Sequence, residues 1–409
     1  MITTSILGPI QNSRILDVRL VQGDVTDESN EIPPLIAGLL TLGPTLRKDY
    51  PGKQLLLMAN IDSNIWDIMK YENELREFYT FSFPKLSTIS TTNSKIEFPP
   101  LAREFGLNVP ETRHCDLDDG VASILRKFDQ WDDYPWIVKP VMGYGYERLS
   151  WPGKKKIYTV TSPSEFKTVI SMLEEQTAQH PKARRFVVQP RVEGNDTHNL
   201  LITAYVDTRG NVTMIGSAQV IMEDHSPSAL GNPAVMITEP YPKLYRQVQT
   251  FLQAIGWRGF ANFDLKVDSR TGTPYFFELN PRIGRSLYYN TAAGLNPMRF
   301  LVDDLIYGKS VPLETIENRI LYSYLPKNLV LRYVDEKMAK KIRYLYRKGR
   351  VFHPLFNAAE RDLSVRAAKR EAYARLSTQK HWLKFHRNFP VEEFRKLGTE
   401  SLDTAPLRK

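Results

Sequence analysis

Between Gly259 and Asn280 the chain reads GFANFDLKV, DSRTGTP and YFFELN. The two outer runs alternate or concentrate apolar residues in the manner of strands, and the Asp, Ser, Gly and Pro between them form turns, so the stretch reads as a hairpin. A period of two puts Asn262, Asp264 and Lys266 on one face of the first strand, and Phe276, Glu278 and Asn280 on one face of the second. Pairing then brings Asp264 beside Glu278 and Asn280. Two carboxylates and an amide oxygen are hard ligands, suited to Mg²⁺ and not to zinc. Clustered carboxylates repel one another in a metal-free interior, so a bound cation is one reason for their company. A polar strand face turned to water is the other. Phe276 and Phe277 weigh toward the cation, because an ionised Glu278 buried after them needs a partner; the residues alone leave both readings open. Arg282 and Arg285 follow at once and offer guanidinium forks to a phosphate or a carboxylate.

The rest of the chain supports more than one core. At 409 residues it has room for two or three domains, and 42% hydrophobic with 25% charged residues is a globular balance. ILDVRLV (15–21) and QLLLMAN (54–60) read as strands, with PPLIAGLLTLG between them as a helix, so the first part is α/β. A doubly wound sheet opens with a strand and a glycine-bearing turn; that unit is missing, so the expectation is a shortened domain or a truncated start. Residues 95–110 read as a helix running into GLNVP. WIVK (136–139) is a buried strand, followed by PVMGYGYERLSW, a loop with Gly143 and Gly145. Ser162 and Glu165 around Pro163 make a capping box, and Phe166, Val169, Ile170 and Leu173 then recur at helical spacing, which predicts a helix over 163–176. FVVQ (186–189) is a further strand, and LLITAYV and VTMIGSAQV flank DTRGN as another hairpin. From about residue 331 the chain turns helical and rich in Arg, Lys, Tyr and Ala. The expected domains are 1–90, 91–185, 186–312 and 313–409.

One cysteine, Cys115, excludes an intramolecular disulfide and fits a reducing compartment. The start MITTSILGPIQNS has neither a basic n-region nor a sustained apolar run, and no segment approaches the roughly 18 apolar residues of a membrane span. A cytoplasmic protein is expected. Residues 331–409 carry 20 Lys/Arg against 9 Asp/Glu, a net of +11 in a chain of +9, which leaves −2 for the rest. A neutral body with a basic tail points to an anionic partner for the tail.

FELNPR preceded by NFDLKVD, WIVKP, and VVQPRVEG stand in order from about residue 90 to 310. In that order, around a glycine-bearing loop, they resemble the ATP-grasp ligases. GNDTHNLLITAYVD, EDHSPSALGNPAV, FELNPRIGRS with GLNPMRFLVDDLIYG, and YLPKNLVLRYV resemble more closely the D-aspartate ligases of Gram-positive peptidoglycan synthesis. The resemblance implies an ATP-grasp fold, mixed α/β and α+β, with a Rossmann-like first domain and a basic helical extension. It implies ATP and one or two Mg²⁺ ions, with Mn²⁺ an admissible substitute. The implied reaction phosphorylates the β-carboxylate of D-aspartate, and the ε-amine of lysine in a UDP-muramyl peptide attacks the acyl phosphate. On the family's pattern Lys139 and, more loosely, Lys95 hold nucleotide phosphates. Gln189 reads the adenine edge and Glu193 the ribose. Asp264, Glu278 and Asn280 hold metal. Arg282, Arg285 and Ser286 serve the transferred phosphate and the acid. Two departures stand out: Pro190 replaces the acid that follows the adenine-strand Gln in many relatives, and the opening strand and turn are missing.

Such chemistry needs positioning and charge neutralisation more than covalent help. Glycine at 143 and 145 lets backbone approach phosphate, and MGYGYER is the candidate lid that keeps water from the acyl phosphate. The plainer alternatives are a simple turn at these glycines and at Glu193–Gly194, and a strand-end surface lysine at 139. Cys115 reads as an ordinary thiol. His198 and His225 bind an anion or, more commonly for histidine, make structural hydrogen bonds. Asn290 to Asn296 reads as helix-start chemistry. The tail packs on the body as an amphipathic pair, or captures the muramyl peptide with weak contact to a membrane surface; RNA-binding signatures are absent, so no nucleic acid is expected. Competing functions are an ATP-grasp ligase for another amino acid and amine, a non-catalytic ATP-binding protein, and an anion-binding module built on the tail.

Overall fold

The computed structural model describes residues 1–3, 10, 13, 15–21, 32–131, 133–141, 146, 149–226, 231–356 and 365–402. The chain forms two compact units: residues 1–89, 195–265 and 279–409 in one, and 90–194 with 266–278 in the other.

The first segment is mostly helical. β1 (Ile2–Thr3) pairs in parallel with β2 (Arg19–Leu20), so the strand expected over 15–21 shortens to two residues. The expected strand over 54–60 reduces to a bridge between Leu56 and Thr80, because residues 55 to 57 exchange backbone bonds with Thr80 alone. The helix Pro34–Asp49 begins on proline, whose fixed φ suits a first turn. Its Ile36 and Leu39 pack with Ile65, Ile68 and Met69 of the helix Asp62–Lys70, with Leu75, and with Tyr79, whose hydroxyl donates to Leu39 O at 2.8 Å.

The unit of residues 90–194 holds an antiparallel sheet of β3 (Arg113–Asp116), β4 (Trp136–Pro140), β5 (Tyr158–Val160) and β6 (Arg185–Pro190), in the order β3-β6-β4-β5. The helix expected over 95–110 is the shorter Phe98–Glu104: Pro99 and Pro100 sit in its first turn, and Gly106 at φ 78° follows its end. The helix Pro163–Thr177 is capped by Ser162 Oγ, which accepts from the Glu165 amide at 3.3 Å, while Glu165 Oε2 accepts from the Thr161 amide at 2.7 Å. Trp136, Phe128, Phe166 and Phe186 form the centre of this core, with Cys115 buried in it. Burial pushes the Cys115 thiol up to about 12, so it is an inert thiol at neutral pH.

The other unit is built on a larger sheet: β7 (Asn199–Val206), β8 (Val212–Glu223), β9 (Pro233–Thr238), β10 (Gly259–Val267), β11 (Pro274–Asn280), β12 (Glu314–Thr315), β13 (Leu321–Ser323) and β14 (Val351–Phe352). Its order is β11-β10-β7-β8-β9-β13-β14, with β12 on β8. The expected hairpin of 200–220 closes as β7–β8, with Leu201 opposite Ala218. β10 and β11 are neighbours at one edge, and the hairpin's far end, 266–278, belongs to the smaller unit. Gly259 opens β10 at φ 78°; a Cβ there would stand 2.2 Å from Ser82 O, so no other residue fits without moving the 82–83 backbone. The helices of the tail, Lys327–Tyr333, Glu336–Arg347, Val365–Asn388 and Val391–Leu397, bury Tyr333, Ile342, Phe385, Phe389 and Phe394 against Ile221, Val235 and Leu321 of the sheet. Much of the tail is therefore core, and its exposed face carries the surplus of cations. Among the described residues no helix is long and apolar enough to cross a membrane.

Candidate active site

Each unit presents one group of the residues singled out from the sequence. In the smaller unit Lys139 lies on β4 opposite Val187 of β6. Its ammonium stands 5.8 Å from the centre of the Phe277 ring. Burial pulls the Lys139 pKa down to about 8; the charge of Glu278 opposes the shift and that of Lys95 adds to it. Lys95, Lys139 and Glu278 therefore share one electrostatic neighbourhood. Lys95 Nζ donates to Val141 O at 3.0 Å, just before the glycine-bearing loop. Gly143 and Gly145 lie outside the described residues, as does most of MGYGYER. Tyr146, at the loop's end, is fully buried and shares a 2.8 Å hydrogen bond with Tyr158.

Gln189 on β6 faces Ile137 across the ladder, and its Nε2 donates to Thr112 Oγ1 at 2.7 Å. Pro190 pairs with Trp136 and the Arg191 amide donates to Pro135 O at 2.8 Å, so the chain stays tied to β4 through the proline. Glu193 is engaged by Arg191, whose Nη2 reaches both carboxylate oxygens at 2.7 and 2.8 Å. The Glu193 amide donates to Asp268 Oδ2 at 3.2 Å, and the Ser269 amide to Glu193 O at 3.0 Å. Asp268 is nearly buried. Its burial raises the carboxyl pKa, but Arg270 and backbone donors outweigh that and hold it below the usual carboxylate value. Asp268 and Thr112 were not foreseen; the signal for Asp268 was its place at the head of the DSRTG turn, where an aspartate accepts from amides two and three residues on.

In the larger unit Asn280 Nδ2 donates to Asp264 Oδ2 at 3.2 Å, across β11 and β10. Next along β10, Asn262 is buried and its Oδ1 accepts from Thr203 Oγ1 at 3.0 Å; Thr203 in turn accepts from Tyr289 OH at 3.0 Å. Burial, with the charge of Asp264 in addition, pushes the Tyr289 phenol up to about 12 even though hydrogen bonds from its neighbours oppose it. Ser286 is buried against the Tyr322 hydroxyl, and Arg285 is exposed, its charge felt by Tyr322 and Tyr324. Arg282 Nε donates to Asp62 Oδ2 at 2.9 Å. Asp62 belongs to the first segment, and no sequence pattern connects it with NPR.

The two histidines are structural. His198 closes a capping box with Asn195. His225 Nε2 lies 2.9 and 3.0 Å from the two oxygens of Asp196, and its ring stacks on Phe389 at 3.9 Å. Asp196, Glu223 and His225 bring ligand atoms within 4.8 Å of one another, but Glu223 also accepts from Asn199 at 2.7 Å, so the group is closed by its own bonds.

Asp264 and Asn280 are brought together and offer oxygen donors of the hard kind. Asn280 spends its NH₂ on Asp264, which leaves the amide oxygen for a cation, and Glu278 is exposed at the strand surface. Those donors fit Mg²⁺. The two lysines beside Glu278 fit polyphosphate.

No family model matches the chain. A D-aspartate ligase of Enterococcus faecium (strain Aus0004) is 28% identical over 344 residues, which is 82% of this chain and 78% of that protein. Among solved structures, biotin carboxylase from Campylobacter jejuni, in complex with β,γ-ATP, superposes with a TM-score of 0.55 at 14% identity over 74% of this chain. The chain spans 64% of that biotin carboxylase chain, under two thirds of its length. N5-carboxyaminoimidazole synthetase from Staphylococcus aureus superposes with a TM-score of 0.52 at 14% identity, covering 78% of this chain and 73% of that one. At such identities the superpositions establish the fold, which is ATP-grasp. Beyond the fold, the sequence likeness adds a homologue: over most of its length the chain is similar to a D-aspartate ligase.

Proposed function

We propose that the chain is an ADP-forming ligase that joins the β-carboxylate of D-aspartate to the ε-amine of lysine in a UDP-muramyl peptide. One observation supports this above the rest. Lys139 is half-buried on β4 and its ammonium feels the charges of a second cation, Lys95, and of the acid Glu278, surroundings that a bound polyphosphate and its counter-ion complete. The D-aspartate part rests on the likeness to the enterococcal enzyme.

On this reading Lys139 and Lys95 hold phosphate oxygens. The cost of burying the Lys139 ammonium, seen in its lowered pKa, is offset when a phosphate arrives beside it. Asp264, Glu278 and Asn280 would hold Mg²⁺, which when bound neutralises charge on the triphosphate. Gln189 lies at the adenine edge, and Glu193 exchanges Arg191 for a ribose hydroxyl. Arg282, with Arg285 and Ser286, receives the acid substrate and offsets charge on the transferred group. A carboxylate oxygen of aspartate attacks the γ-phosphorus, the bond to the β-phosphate oxygen breaks, and ADP leaves. The amine then attacks the acyl carbon, the C–O bond to phosphate breaks, and the amine's proton passes to solvent. Gly143 and Gly145 belong to the lid that excludes water from the acyl phosphate. The basic surface of the tail attracts the anionic muramyl peptide and allows weak contact with an anionic membrane surface. ATP and the precursor place the reaction in the cytoplasm.

The test is ADP release with a panel of L- and D-amino acids, with and without UDP-muramyl pentapeptide. Release that depends on D-aspartate is expected. Release with L-aspartate and not D-aspartate would overturn the substrate and leave the ligase reading in place.

A further inference from the structure

Arg282 has three donor nitrogens and a flexible stem, so its usefulness to a reacting anion depends on what fixes it. Only Nε is committed, to Asp62 Oδ2 at 2.9 Å; the terminal nitrogens have no partner among the described residues. Asp62 is well suited to the task. It opens the helix Asp62–Lys70, whose Ile65, Ile68 and Met69 are buried in the first segment's core, so its backbone is held by packing. Its other oxygen, Oδ1, is buried without a hydrogen-bond partner among the described residues, so Arg282 provides the neighbouring charge that offsets the carboxylate. The guanidinium is planar; fixing Nε restricts its plane and leaves both terminal nitrogens for an anion. Ser82 O of the same segment also packs closely against Gly259 at the start of β10.

We propose that Asp62 is a positioning residue of the ligase reaction. It anchors Arg282 through Nε so that the two terminal nitrogens meet the acid substrate or the transferred phosphate. This rests on the ligase reading of Arg282 and adds to it a contribution from the first segment, where the sequence showed no part for the amino-acid site.

The experiment compares wild type, Asp62→Ala, Asp62→Asn, Arg282→Ala and the double variant Asp62→Ala/Arg282→Ala in steady-state ADP release, with ADP affinity measured in parallel. Asp62→Ala is expected to lower kcat about 10- to 100-fold with KM for ATP and ADP affinity unchanged, the scale that misplacing a reacting group costs. Asp62→Asn, which keeps an acceptor for Nε, is expected to recover part of that loss. The double variant is expected to be no worse than Arg282→Ala, because both substitutions remove one device. Full kcat in Asp62→Ala, tighter binding of the acid, or losses that multiply in the double variant would each overturn the proposal. Should Asp62→Ala fail to bind ADP, Asp62→Asn decides alone: a lowered kcat with ADP affinity kept supports the anchor, and a wild-type kcat refutes it. A wild type that releases no ADP with any amino acid refutes the ligase reading itself, a result visible before any variant is compared.

Discussion

Asn280 and Asp264 face one another across neighbouring strands, the amide donating to the carboxylate at 3.2 Å. The amide makes the pair stable without a metal. Asn280→Asp would set two carboxylates at that distance in a nearly buried position. The variant is expected to lose about 1–2 kcal/mol in metal-free buffer and to regain it with millimolar Mg²⁺. Thermal melts with and without Mg²⁺ check this; a loss that Mg²⁺ does not restore would place the cation elsewhere.

Glu278 is exposed, so the fold has little need of its charge, while the proposed chemistry does. Glu278→Gln is expected to cut turnover at least about 100-fold, as losing a charged group at a reacting phosphate does, with a surface-like change of under about 0.5 kcal/mol in stability. Turnover at the wild-type rate would remove Glu278 from the metal set.

Lys139 pulls in the opposite direction, being held charged against burial and a neighbouring lysine. Lys139→Met keeps the stem's packing and removes the buried ammonium. It is expected to stabilise the protein by roughly 1 kcal/mol at pH 7, with nucleotide affinity lowered at least about tenfold. Differential scanning fluorimetry and ADP titration read the two effects separately. A variant both less stable and fully able to bind would make Lys139 a structural residue.

The strands that carry these four side chains were legible because strand periodicity and turn chemistry are local. GFANFDLKV and YFFELN carry their pattern within nine residues, and Ser162, Pro163 and Glu165 write a helix start into four. What local pattern cannot hold is the choice of partner. Nothing near QLLLMAN shows that only Thr80 is available to pair with it, so an apolar strand signal became a single bridge. Asp62 and Arg282 are 220 positions apart, Gln189 and Thr112 are 77 apart, and neither pair leaves a periodic trace. For the tail, packing on the body was one of the alternatives the sequence left open and is the one found; a count of charges sees only the exposed Arg and Lys, while Tyr333, Phe385 and Phe389 turn inward.

The tail also makes stability depend on pH. His225 stacks on Phe389 and pairs with Asp196, and Lys384 of the tail pairs with Asp224 at 2.8 Å. Burial lowers the His225 pKa, but the hydrogen bond and charge of Asp196, with Glu223 and Asp224, outweigh it, so the folded value lies above the ordinary 6.5. The protonated form is favoured in the folded state. Its contribution is complete below 6.5 and is lost as pH rises through the folded pKa. Wild type is expected to lose melting temperature across that rise, and His225→Gln to lose less. Equal slopes in the two proteins would show that His225 does not titrate in the folded state as argued.

On the proposed mechanism the acid is activated by phosphorylation before the amine arrives. Incubating the enzyme with ATP, Mg²⁺, UDP-muramyl pentapeptide and D-aspartate carrying ¹⁸O in its β-carboxylate tests it directly, with the released phosphate weighed by mass spectrometry. An acyl phosphate predicts one ¹⁸O in the phosphate for each amide formed. Amide formed with phosphate free of ¹⁸O would contradict the account.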